Sequence, residues 1–106
     1  MPTWYTKQSK ALFQAILHLR SPSEAKRFFR DLLTEEEILE FSRRWEAAQL
    51  LRQGAPYTTI VRRTGLSSTT VARVQRWLKG SQGGYRLMLA RQHHTDRLHH
   101  SRLKEA

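Results

Sequence analysis

Ser67, Ser68, Thr69 and Thr70, followed by Ala72, Arg73 and Arg76, place hydroxyls, a small residue and two guanidinium groups within ten consecutive positions. Their chemistry suits recognition of a polyanion better than catalysis. Hydroxyls bond phosphate oxygens and base edges, the positive end of a helix favours an anion, and an arginine forks onto O6 and N7 of guanine. Short side chains near a helix start let backbone approach a nucleic acid closely. Arg62 and Arg63 before this set, and Lys79 after it, have the charge to meet a sugar–phosphate backbone.

Two short helices must position these groups. Hydrophobic spacing marks one in "YTTIVRRTG", ending at Gly65, and another from Ser67 or Ser68 to Lys79. Ile60 before the glycine, with Leu66, Val71 and Val74 after it, converge as a small core. Val71, Val74 and Leu78 form one stripe, which leaves Ser68, Thr69, Ala72, Arg73 and Arg76 outward. Gly65 supplies the left-handed backbone of a sharp turn. This is the spacing of a helix-turn-helix, at about 57–79, of the kind that lays its second helix in a major groove. Val61 stands where the two helices touch and a small residue is usual.

The rest of the chain also reads as helix, about six in all, so the expected class is all-α. A first helix runs from Lys7 to His18. A second starts in "SPSEAKRFFRDLL", with Pro22 just outside and Ser23 as N-cap. In the clearest one Thr34 caps and Glu37 completes the capping-box spacing, three glutamates suit the helix dipole, and Ile38, Phe41, Trp45, Ala48 and Leu51 form the apolar stripe until Gly54 and Pro56 end it. Helix restarts after Gly83 and Gly84. Residues 1–92 read as one helical domain, and 93–106 as a basic tail rich in His and Arg that frays.

Charge supports the polyanion reading. The 106 residues carry a formal net charge of +10, and residues 47–106 hold 11 Lys and Arg against 2 Asp and Glu. Residues 1–46 hold 8 against 7, so the excess belongs to the second part. The chain has no cysteine, which excludes disulfides and thiolate metal sites. The start, "MPTWYTKQSKALFQAIL", lacks an apolar run long enough for a signal peptide or membrane span, so a cytoplasmic protein is expected.

Other chemistries find little support. Glu35, Glu36 and Glu37 are explained by their helix start. His93, His94, His99 and His100 form two pairs with Asp96 as the one nearby carboxylate, too thin a set for a metal site, and none is expected. Trp4, Trp45 and Trp77 could stack bases, but Trp45 at helical spacing reads as core. No Ser/His/Asp grouping, nucleophile elbow or phosphate-cradling glycine loop is present, so an enzyme is not expected.

From Asp31 to Leu89 the sequence resembles the Trp repressor superfamily, and within it the repressor-related branch called YerC/YecD. "DLLT" opening the long helix, "LL" closing it, "TG-S-TTV-RV" in the turn, and "GGYRLML" opening the last helix carry the resemblance. The glycine pair followed by an aromatic marks the branch rather than the tryptophan-sensing repressors. The resemblance implies an intertwined, all-helical homodimer with two helix-turn-helix heads: a DNA-binding transcriptional regulator, a repressor, in the bacterial cytoplasm and at the nucleoid when bound. A dimer also follows from size, since one chain of this length would struggle to bury "ALFQAIL", "FF-LL" and "YRLML" together.

The resemblance also implies a ligand pocket. Thr34, Arg73 and one of Arg43 or Arg44 match positions that flank the repressors' tryptophan. Val74 stands where they have glycine, and Trp77 where they have a serine that holds the ligand's amino group. Added bulk at both argues against tryptophan as co-repressor, and no cofactor is expected. The alternative reading is a basic module that binds RNA or ribonucleoprotein by charge and stacking.

Overall fold

Six helices in order, without a strand among the described residues, make up the computed structural model of the chain. The structure describes residues 2–80 and 82–105, the side chains of 99–105 excepted. It divides into two compact units, residues 1–38 and 39–106.

In the first unit, α1 (Lys7–Ile16) opens on Thr6, whose hydroxyl accepts from the Ser9 N–H at 3.1 Å while Ser9 Oγ accepts from the Thr6 N–H at 2.7 Å. The helix is shorter than its apolar pattern. His18 and Leu19 bond back three residues, at 3.0 and 3.1 Å, so the last turn tightens instead of continuing. α2 (Pro22–Leu32) corrects the expected start. Ser21, not Ser23, is the N-cap, its hydroxyl accepting from the Glu24 N–H at 3.1 Å, and Pro22 is inside the helix. The first helical position needs no N–H and suits proline's fixed φ, so the serine before it becomes the cap. Neither helix contains a buried residue.

α3 (Glu35–Arg52) begins in the first unit with the expected capping box. Thr34 Oγ1 accepts from the Glu37 N–H at 3.1 Å, and the Glu37 carboxylate accepts from the Thr34 N–H at 2.9 Å. Those bonds favour the charged form and hold the Glu37 carboxyl below the usual glutamate range.

The second unit holds the core. Ala47, Ala48 and Leu50 of α3 join Ile60 of α4 (Tyr57–Thr64), Leu66 of the following turn, Val71 and Val74 of α5 (Ser68–Lys79), and Leu89 of α6 (Gly84–Glu105). Of the expected α3 stripe only Ala48 is fully buried, and Ile38 and Leu51 are half buried. Phe41 is half exposed with the Arg44 guanidinium 5.9 Å from its ring centroid, and Trp45 is only half buried. A hydrogen bond of 3.1 Å from Gln49 to Gln92 links α3 to α6. The segment read as a fraying tail continues α6 as helix to Glu105, with every residue from 91 to 98 exposed. Past Gly84 it contains no proline or glycine to stop it.

Candidate nucleic-acid interface

Gly65 has φ +76 and ψ 4, and its N–H closes α4 on the Val61 carbonyl at 2.9 Å. A side chain there would meet nothing within 4 Å, so glycine is required by backbone conformation and not by space. Gly65→Ala is expected to cost about 1–2 kcal/mol, read as a lower thermal midpoint, with Gly65→Asn recovering part of it.

Thr64 is a residue the sequence reading missed. It is buried; its hydroxyl donates to the Ile60 carbonyl at 2.7 Å and accepts from the Leu66 N–H at 3.2 Å. One side chain thus satisfies a backbone group on each side of the turn. A threonine directly before the turn glycine was the available signal. Beneath it Ile60, Val71 and Val74 are fully buried and Leu66 nearly so, while Val61 packs half-buried against the same cluster.

Ser67 caps α5. Its hydroxyl accepts from the Thr70 N–H at 3.1 Å and donates to Thr70 Oγ1 at 3.0 Å. The four consecutive hydroxyls therefore divide, with Ser67 and Thr70 bonded to each other and Ser68 and Thr69 exposed. At about 100° per residue, Ser68, Thr69, Ala72, Arg73, Arg76 and Lys79 fall within about 140° of arc, with Val71, Val74 and Leu78 on the opposite side. Arg73, Arg76 and Lys79 are all exposed, as are Arg62 and Arg63 on α4. Arg63 lies 3.8 Å from the Glu46 carboxylate, an exposed and loose pair. No acidic residue stands between Glu46 and Asp96, so nothing on α4, α5 or the turn opposes this charge.

Several of the residues implied as a ligand pocket have partners of their own. Thr34 belongs to the first unit, where its hydroxyl serves the α3 cap. Arg43 and Arg73 are exposed, and Val74 is fully buried in the core. Arg44 is half buried, its Nε 3.4 Å from a Glu40 carboxylate oxygen and without a hydrogen bond. Trp77 instead lines a hollow of about 440 Å³ with Trp45, Gln82, Gly83, Gly84, Tyr85 and Met88. Tyr85 stacks at 6.3 Å on Trp45 and lies 6.5 Å from Trp77, and burial pushes its phenol upward, so it stays protonated at neutral pH. Sequence reasoning missed the hollow, because its walls come from three helices.

Of the two histidine pairs, His93 and His94 are exposed, and the side chains of His99 and His100 lie outside the described residues. No helix among the described residues is long and apolar enough to cross a membrane.

The family described as Trp repressor protein matches residues 7–93. The uncharacterized protein YerC of Bacillus subtilis (strain 168) is 39% identical over 90 residues, spanning 85% of this chain and 86% of YerC. Two solved structures share the fold. A TrpR-like protein from Eubacterium eligens ATCC 27750 has a TM-score of 0.79 and 41% identity, over 83% of this chain and 91% of its own. A candidate Trp repressor from Staphylococcus aureus has a TM-score of 0.80 and 33% identity, over 88% and 96%. Six helices in this arrangement, a glycine turn that leads into an arginine-bearing helix, and a match over most of the sequence agree: the chain belongs to the Trp repressor protein family.

Proposed function

We propose that this protein is a sequence-specific DNA-binding transcriptional regulator, a repressor, that acts as a homodimer through its α4–α5 helix-turn-helix. The observation that carries the reading is the outer face of α5, where two hydroxyls, an alanine and two arginines lie together on a unit rich in positive charge. Ser68, Thr69, Ala72, Arg73 and Arg76 choose the sequence, while Arg62, Arg63 and Lys79 bind phosphates and supply most of the affinity. Ser67 and Thr70 contribute the N-terminal geometry of the helix rather than free hydroxyls.

Dimerisation is supported by apolar surface left open on the single chain. Leu17 is 83% exposed, Trp4 53% and Phe13 44%, and no residue of α1 or α2 is fully buried. A second copy offers the same faces and would remove them from water. Two heads related by a two-fold axis read half-sites about 34 Å apart. DNA binding proceeds without tryptophan: Trp77 places an indole of the protein's own at the position matching the repressors' ligand contact, and Val74 fills the glycine position.

The test is selection of genomic DNA fragments by the purified protein at two salt concentrations, followed by sequencing. The expected result is an enriched palindrome with half-sites about one helical turn apart, unchanged by added tryptophan. Steeply salt-dependent binding with no enriched sequence, and equal competition by RNA, would replace this reading with an RNA-binding or architectural one.

A further inference from the structure

Arg86, in the first turn of α6, was not among the residues singled out from the sequence. Its Nη1 donates to the Leu78 carbonyl at 2.7 Å and lies 3.4 Å from the Gly80 carbonyl. Leu78 belongs to the last turn of α5, where carbonyls have no partner further along the helix. The Gly80 N–H satisfies the Arg76 carbonyl at 3.1 Å, and Arg86 takes that of Leu78. A positive charge at this end of a helix also suits its dipole.

The glycine pair makes room for this contact, and its two members are not equivalent. A Cβ built on Gly83 would stand 2.8 Å from Arg86 Nη2 and 3.5 Å from its Cζ, whereas one on Gly84 meets nothing within 4 Å. Gly83 also has φ +74. The guanidinium therefore occupies the space that any side chain at 83 would take.

We propose that Arg86 is the positioning residue of α5, a latch that ties the C-terminal end of this helix to the start of α6 and sets the angle at which Arg73 and Arg76 are presented. The inference rests on α5 being the helix that reads DNA. Val71 and Val74 anchor the middle of α5 in the core, and Trp77 and Leu78 pack half-buried against it toward the C-terminal end. That end joins α6 through a short loop that contains Gly80 and Gly83. Arg76 lies about 7.5 Å along the axis from Val71, so a tilt of about 10° about Val71 moves it by about 1.3 Å. That displacement spoils a forked hydrogen bond to a base but leaves a charge near a phosphate.

The experiment uses the full-length protein with Arg86→Ala, Gly83→Ala and both together. Two quantities are read: amide hydrogen exchange at residues 76–80, and the ratio of affinity for a selected duplex to that for a random one. Arg86→Ala is expected to speed exchange at the end of α5 about tenfold and to lower the affinity ratio about tenfold, while affinity for random duplex falls less than about threefold. Gly83→Ala lowers the ratio alike, because its methyl displaces the guanidinium, and the double variant goes no lower than Arg86→Ala alone. Unchanged exchange at 76–80 in Arg86→Ala would overturn the latch. Equal losses on both duplexes would make Arg86 a phosphate contact and overturn it too. If the unmodified protein selects no sequence, the DNA-reading proposal fails, and the exchange rates alone decide whether Arg86 holds α5.

Discussion

Ile60→Ala is expected to lower the thermal midpoint by on the order of 10 °C or more, through a loss of about 2–5 kcal/mol. Ile60 is fully buried and shares its cluster with Leu66, Val71 and Val74, the residues that join α4 to α5. Alanine is a better helix former than isoleucine, so the loss comes from packing alone. The core is small, and little surrounding mass can move in to fill the space. Ile60→Val serves as a graded control at about 0.5–1.5 kcal/mol. Val61→Ala next to it, from a half-buried position, should cost less than Ile60→Ala. Thermal unfolding followed by circular dichroism at several protein concentrations checks this, because association adds a concentration-dependent share to the midpoint. A midpoint for Ile60→Ala within two degrees of the unmodified protein would mean that this cluster does not hold the turn together.

The turn was legible because its determinants are local. A glycine in the left-handed region, a serine cap one step before a helix, and apolar residues at i, i+3 and i+7 are set by a few neighbouring residues. Gly65, Val71 and Val74 are found as the sequence predicts, whereas Ser67, grouped there with the recognition hydroxyls, serves as the cap of α5. Thr34 and Glu37 form their box for the same reason. The misplaced cap at α2 is instructive, because "SPS" offers a serine on each side of a proline. Proline's tolerance for the first helical position decides for Ser21, a preference of backbone geometry that side-chain type alone leaves open.

What was not legible depends on separate helices arriving at one place. Trp45, Trp77 and Tyr85 are spread over 41 positions, and only the packing of α3, α5 and α6 turns three separate aromatics into one hollow. Phe41 fits the amphipathic pattern yet stays half exposed, because periodicity marks a face for burial without naming what covers it. Arg86 was invisible for a different reason. Its partners are backbone carbonyls, which every sequence possesses, so no residue type at 78 or 80 announces the contact. The glycine at 83 was visible, but as a turn former and not as the space for a guanidinium.

The outward face of α5 allows affinity and choice of sequence to be separated. Arg73→Ala is expected to relax base preference at one position of the selected site by about 1–3 kcal/mol, while Lys79→Ala should weaken selected and random duplexes alike and reduce the salt slope by about one. Both residues are exposed on a face turned away from Val71 and Val74, so neither truncation removes core contacts. Arg73→Lys then separates charge from geometry. A lysine keeps the positive charge but lacks the planar fork that meets O6 and N7 of guanine together. Random-duplex affinity should therefore hold in Arg73→Lys while the preference for one base is lost. Titrations of both duplexes at two salt concentrations measure each quantity. Losses of equal size from Arg73→Ala and Lys79→Ala on both duplexes would mean that Arg73 touches only phosphate. Base choice would then have to come from Ser68, Thr69 and Arg76, exposed polar groups on the same face of α5.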